Sequence, residues 1–328
     1  MTPNLRRTAA STARRTKSRR GNDDTTGSDE SSTTTLEQYI PSYLAPWVHF
    51  YHGDFCYSHT FHPKLIAQLF AEGFLPIATA QGRILLPKLH AERCVMPLRP
   101  NSIQSESSLP SPSSPSQPLL PLRPTHVSKS VRKKANRFRF TLNQRFQQVV
   151  QGCRTQHGEH CWLYPNLVDA FLQIHRNPIP AKIADCDRTC LIQLVSVEVW
   201  DAQTLQLVAG ELGYTVGTMY TSLTGFSAVD SAGSVQLAVT GRLLQAAGFV
   251  WWDLGMAMPY KHALGATIMP RDSFVQAVHA CRLESPRDMT WMDTFSIDIA
   301  ATNEENHNCR KILDRTANAL ETNTDYAT

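Results

Sequence analysis

Carboxylates are absent from residues 107–158, a stretch that holds nine lysines and arginines. They are absent as well from the first 22 residues, which carry seven basic groups. Ordinary surfaces mix signs, so an uncompensated run of this length argues for a polyanionic partner. The formal net charge of +4 hides the asymmetry, because the chain outside 1–35 and 107–158 sums to −8. Long apolar runs are also lacking. None approaches the ~18 residues of a membrane-spanning helix, which excludes a helical membrane protein. Cysteine is sparse, with eight in 328 residues, and no apolar segment near the N-terminus reads as a secretory signal. Reduced thiols and a cytoplasmic location are the expectation. Hydrophobic residues make up 42%, an ordinary globular value that excludes a wholly disordered chain.

Cys153, His157, His160 and Cys161, with Cys186 and Cys190 further on, raise the question of zinc. Their spacing fits no strong finger pattern. The expectation is ordinary buried or half-buried thiols and no metal.

Composition divides the chain. Residues 1–35 are rich in Arg, Ser and Thr and nearly devoid of large apolar side chains, too little to bury a core. Three readings of this tail stay open. It is an organellar transit peptide, a nuclear-import or nucleic-acid tail carried by Arg14-Arg15-Thr16-Lys17-Ser18-Arg19-Arg20, or a plain extension. Residues 99–124 hold seven prolines and eight serines and read as a linker or surface insertion. They separate a small N-terminal α/β unit, 36–98, from a main unit, 125–285. The polar stretch 286–328 is expected as a tail with one weak helix near Cys309–Leu320.

Pro63 suits a first helical position and Gly73 the position past a helix end, so 63–73 reads as a helix. Short strands follow near 74–78 and 83–86. A basic helix is expected over 128–136 and a strand over Phe138–Leu142. Asn143 reads as the cap of a helix running to Val150 and closed by Gly152. A further helix starts at Pro165 and ends near His175. Val195, Val197 and Val199 alternate with Ser196 and Glu198, as in a half-buried strand. Strands at 205–215 and 218–225 follow, joined through Gly217. Asp230 or Ser231 caps a helix with the apolar stripe Val235, Ala238, Val239 and Leu243, stopped by Gly248. Phe249–Leu254 is a short strand, and Pro259 opens another helix. The fold class is α+β. The order helix, three strands, helix, strand, helix is that of the GNAT acyltransferase fold, a mixed sheet with flanking helices.

On the basic helix Lys129, Arg132 and Lys133 stand at i, i+3 and i+4, on one face, with Lys134 next to them. Ser128 and Ser130 add hydroxyl donors. Facing a nucleic-acid backbone, each cation displaces condensed counterions.

The run His126-Val127-Ser128-Lys129-Ser130 resembles the LH-[IV]-S-[RK]-S motif of leucyl/phenylalanyl-tRNA–protein transferases. The resemblance continues in order. Phe138–Asn143 is similar to the family's FRVTVN strand, Val149–Cys153 to its VIxGC, and Val197-Glu198-Val199-Trp200 to its SVEVW. Phe226-Ser227, Trp252-Asp253, Leu264-Gly265-Ala266 and Pro270-Arg271 match its MFSR, IDxQ, SLGA and IPR segments. A looser match, Leu69–Pro76, resembles YxxGxFP. The series covers roughly 60–98 and 125–280.

What the resemblance implies is an enzyme that moves Leu or Phe from aminoacyl-tRNA to the α-amine of an acceptor protein with an N-terminal Lys or Arg. The product is marked for degradation. The resemblance implies no coenzyme, no metal and no membrane, and a monomer is expected. By position, Asp253 is the catalytic carboxylate that orients the incoming ammonium. Tyr220, Phe226 and Leu237 wall the aminoacyl side chain. Trp162, Phe171 and Phe70 hold the terminal adenosine of the tRNA. Lys129, Arg132, Lys133 and Lys134 face its backbone.

The chain also departs from the family pattern. Leu223 stands where the family has the glutamate of GES-MF, and Gly255 where it has the glutamine of IDxQ. Two polar groups near the reacting centre are therefore missing. Two other readings follow: an RNA-binding protein without transfer, or an acyl-CoA-dependent acyltransferase. The latter needs a glycine-rich pyrophosphate loop before the long helix. Ser227–Ser234 holds only Gly233 and no basic residue.

Overall fold

A computed structural model describes residues 57–79, 82–99, 125–183, 187–301 and 304–322, all within one compact unit, Thr35–Thr328. The basic tail 1–35, the linker beyond residue 99 and Cys186 lie outside the described residues. Among the described residues no helix is long and apolar enough to cross a membrane.

Helix α1 (Pro63–Ala71) opens with proline at its first position and with the His62 ring accepting from the Lys64 amide at 3.2 Å. Strands β1 (Leu75–Ala78) and β2 (Leu85–Lys88) form a separate antiparallel pair. Strand β3 (Glu92–Pro97) follows. The basic helix α2 (Lys129–Lys134) is capped by the Ser128 hydroxyl, which accepts from the Val131 amide, and a 3-10 turn carries it into β4 (Phe138–Leu142).

The next helix corrects the expected boundaries. Asn143 caps nothing: it sits at φ +59°, and its side chain accepts from the Ser196 amide. Helix α3 runs from Phe146 to His157, straight through Gly152. Gly152 is there for packing, because a Cβ would lie 2.5 Å from the Phe226 ring. Helix α4 (Pro165–Arg176) and strand β5 (Ile179–Lys182) follow. Strand β6 (Thr189–Asp201) is far longer than its valine alternation, pairing with β5 along its first half and β4 along its second. Strands β7 (Leu207–Val216) and β8 (Met219–Ser227) lead into α5 (Ala232–Ala247) and β9 (Trp251–Asp253). The chain continues through α6 (Pro259–Ala263), β10 (Thr267–Pro270), α7 (Arg271–Cys281), α8 (Thr290–Phe295), α9 (Glu304–His307) and α10 (Cys309–Thr322).

The large sheet has the order β10-β3-β9-β8-β7-β6-β4, with β5 alongside β6. Every neighbouring pair is antiparallel except β8 with β9. Apolar clusters cover both faces. One joins Phe70, Val149, Phe171 and Phe274 to Leu212 and Tyr214; the other joins Val239, Leu244 and Ile312 to Val197 and Trp252. Alternation along the strands feeds each cluster in turn.

Two stretches are more deeply built in than their composition suggests. Strand β3, from the segment 36–98, lies between β9 and β10 in the main sheet, and α1 belongs to the first cluster. The stretch after 285 is no polar tail. Met292, Phe295, Ile299, Cys309, Ile312, Leu313 and Leu320 are buried, and α10 packs against α5. Each large apolar side chain so covered contributes about 1.5–3 kcal/mol. Charged residues between these positions lower the average hydropathy and hide the stripe.

Candidate functional site

Strands β8 and β9 pair in parallel at only three positions, Met219 with Trp251, Tyr220 with Trp252 and Thr221 with Asp253. Beyond them the chain leaving β9 follows β3 instead. The Leu254 amide donates to the Cys94 carbonyl at 2.8 Å, and the Cys94 amide donates to the Gly255 carbonyl at 2.7 Å. The sheet therefore forks at Ser222. On the chain that leaves the fork, from β9 into the start of α6, Met256, Met258 and Tyr260 are exposed and form an apolar rim.

Behind Ser222, on the α5 face, lies the buried carboxylate of Glu211. Its Oε1 accepts from the Tyr220 phenol at 2.8 Å and the Ser222 hydroxyl at 2.9 Å; its Oε2 accepts from the Gln236 amide at 3.1 Å. The Trp252 indole N–H donates to Ser222 Oγ at 2.9 Å. Tyr220 reaches Glu211 because the neighbouring residue is Gly213, where a Cβ would overlap the phenol oxygen. Burial pushes the Glu211 carboxyl up to about 7, against the pull of its three donors and of Lys261. Lys261 itself spends its ammonium on the Leu254 and Met256 carbonyls. Sequence reasoning missed Glu211. The signal was there, a lone acid inside Leu207–Val216 with no other charge in the strand.

Asp253 lies on the opposite face. It is fully buried and held by Arg93, with contacts of 3.1, 3.2 and 2.6 Å, while Oδ1 also accepts from the Gly255 amide at 2.9 Å. Arg93 also stands over the Phe274 ring. The carboxylate expected at the mouth of a groove is thus turned inward onto a cation.

The expected pocket walls divide between the two faces. Leu212 pairs with Thr224 and Gly213 with Ser222, so Leu223 is an extra residue in β8 and the alternation flips across it. Tyr220 and Leu237 join the α5 cluster. Phe226 joins the other one, against Gly152 and Gly210. The three expected adenosine-binding aromatics do meet: Phe70 and Phe171 lie 5.8 Å apart, Trp162 and Phe171 6.2 Å. Phe70 also stacks on Tyr214 at 3.9 Å. Phe70 and Phe171 are fully buried, so Trp162 alone keeps accessible surface for a base.

The basic helix is less bare than its sequence. Arg132 pairs with Asp314 at 2.5 Å and Lys134 with Asp230 at 3.0 Å. Further along the acid-free run, Arg145 pairs with Asp298 at 3.0 Å. Lys129 and Lys133 are exposed and have no ion pair among the described residues. Of the cysteine–histidine cluster, Cys153 is buried and pushed up to about 12 by desolvation. His157 instead approaches Thr224 and the Gly225 carbonyl. Among the described residues no three His, Cys, Asp or Glu side chains gather as metal ligands.

The fold and the fork define a mixed-sheet α+β protein with two buried carboxylates at the strand opening. A family model described as leucyl/phenylalanyl-tRNA protein transferase matches residues 119–279. A leucyl/phenylalanyl-tRNA–protein transferase of Pseudomonas fluorescens is 30% identical over 171 residues, 51% of this chain and 68% of that relative. One from Edwardsiella ictaluri is 29% identical over 54% of this chain and 68% of its own length. One from Pseudomonas paraeruginosa is 31% identical over 49% and 66%. The chain belongs to the leucyl/phenylalanyl-tRNA–protein transferase family. The C-terminal (DUF2156) domain solved from Agrobacterium fabrum is 13% identical, with a match over 76% of this chain and 79% of that one and a TM-score of 0.34.

Proposed function

We propose that this chain transfers leucine or phenylalanine from aminoacyl-tRNA to the N-terminal α-amine of an acceptor protein beginning with Lys or Arg. The new N-terminal residue serves as a degradation mark. The observation that carries this reading is the fork between β8 and β9, open beside a buried carboxylate, in a member of this family. A parallel strand pair that splays after α5 is what a GNAT-like sheet requires, and we assign the ester to that opening.

The reaction is aminolysis of an activated ester. An α-amine with pKa about 8 is mostly protonated at neutral pH and must lose a proton to attack. The ester is reactive already, so positioning supplies much of the acceleration. In this reading Trp162 stacks on the terminal base, backed by Phe171 and Phe70. Lys129 and Lys133 meet the tRNA backbone, while Arg132 and Lys134 tie the basic helix to α10 and to the start of α5. Leu237 and the rim of Met256, Met258 and Tyr260 accommodate the apolar donor side chain, while Tyr220, fully buried and bonded to Glu211, lies behind them. Asp253 acts through Arg93, holding β3 against β9, and does not touch the amine.

The test is incubation of the full chain with leucyl- and phenylalanyl-tRNA and a peptide with N-terminal Arg, followed by mass spectrometry. The expected result is a peptide heavier by one leucyl or phenylalanyl residue. An unmodified peptide alongside tight tRNA binding would replace transfer by RNA binding alone. Acylation from acyl-CoA would replace the tRNA donor.

A further inference from the structure

We infer that Ser222 and Glu211 carry the proton away from the acceptor amine, with Ser222 touching the amine and Glu211 acting through it as a positioning base. The inference rests on the transfer reading above. A serine hydroxyl has one proton and two lone pairs. Here the proton is directed at Glu211 and one lone pair is taken by the Trp252 indole N–H. One lone pair remains, on a half-buried residue at the fork. It suits an N–H donor entering from the opening.

The polar groups that the family pattern has at this centre are absent here, replaced by Leu223 and Gly255. Of the two carboxylates at the fork, Asp253 is committed to Arg93. Glu211 has only neutral hydrogen-bond partners: Tyr220 and Ser222 from β8 and Gln236 from α5. The charged or titratable groups facing it from α6 are Lys261, whose ammonium is held by two carbonyls, and Tyr260. Val197, its partner on β6, carries no charge. A buried carboxylate among neutral donors is free to take a proton without breaking an ion pair.

The step balances. The acceptor ammonium gives one proton to Ser222 Oγ while Ser222 passes its own to Glu211. The freed nitrogen forms the C–N bond at the ester carbonyl. The C–O bond to the ribose breaks, and the ribose oxygen takes the second proton shed by the nitrogen. Glu211 then returns its proton to solvent through Ser222. A carboxyl poised at about 7 is matched to this exchange near neutral pH.

The test is kcat and KM for leucyl-tRNA and the N-terminal-Arg peptide, from about pH 5.5 to 8.5, the range that brackets both groups. It uses the full chain and Glu211→Gln, Ser222→Ala and Ser222→Thr. Wild type should show an inflection near 7 in kcat. Glu211→Gln should lose that inflection and fall roughly 10²–10⁴-fold in kcat, with KM for the tRNA nearly unchanged. Ser222→Ala should fall in the same direction, and Ser222→Thr, which keeps a hydroxyl, should recover most of the loss. Should Glu211→Gln fail to fold, the Ser222 pair decides alone. An intact pH profile in Glu211→Gln, or full activity in Ser222→Ala, overturns this inference and leaves the transfer reading standing. Absence of transfer in wild type overturns the transfer reading, and this inference with it.

Discussion

On one face of the fork Asp253 meets a guanidinium; on the other, Glu211 meets a phenol, a hydroxyl and a side-chain amide. Both carboxylates are buried, and they belong to strands of one sheet. Burial penalises the charged form of each. A cation at hydrogen-bond distance offsets that penalty, whereas three neutral dipoles offset only part of it. The first carboxylate is therefore one half of a buried ion pair, and the second a carboxyl that burial pushes up. Burial alone does not say what an acid does; the charge of its partner decides.

The largest expected effect breaks the ion pair. Asp253→Ala leaves Arg93 buried without a counter-charge and should cost about 3–5 kcal/mol, read from denaturant unfolding. Adding Arg93→Met should recover much of that loss. An unfolding midpoint unmoved by Asp253→Ala would show that the pair contributes nothing to the fold.

The next effect is the pH dependence of stability from Glu211. Its carboxyl is higher when folded, about 7 against the ordinary 4.5, so the native state binds the proton more tightly. Its contribution is fully present below about 4.5 and lost as pH rises through about 7. The span is on the order of 3 kcal/mol. Glu211→Gln should remove this dependence, becoming more stable relative to wild type as pH rises across that window. A difference that does not vary with pH would place the Glu211 carboxyl at an ordinary value.

A smaller effect belongs to Trp162. Trp162→Ala should weaken binding of charged tRNA by about 1–3 kcal/mol with little loss of stability, since its surface is partly open. Equal binding by the variant would remove Trp162 from the tRNA platform. The smallest effect is electrostatic. Changing Lys129 and Lys133 together to Ala should flatten the salt dependence of tRNA binding by up to about two units, roughly 0.7–0.9 per phosphate contact. Arg132→Ala should flatten it less, because Arg132 is already paired with Asp314.

Much of the architecture was legible from local signals. Pro63, Pro165 and Gly248 mark helix ends where they fall, and the valines of β6 locate the sheet. Local signals failed where a residue's reason was distant. Gly152 reads as a helix stop but is a seat for the Phe226 ring. The apolar stripe of α10 is diluted by charge and reads as tail. The expected pocket of Tyr220, Phe226 and Leu237 followed family positions, and the extra residue Leu223 in β8 divides it between two faces.

The sequence by itself determined the α+β class, the order of elements along the main unit, most helix starts and the likeness to the transferase family. These follow from backbone preferences, periodicity and short motifs, which act within a few residues. Only the tertiary structure decided the charges. The guanidinium that holds Asp253 comes from 160 residues away, and the acids that face the basic run, Asp230, Asp298 and Asp314, come 96 to 182 residues later. Coulomb interaction and desolvation depend on distance through space and on what excludes water. The chain makes those neighbours only when the sheet closes.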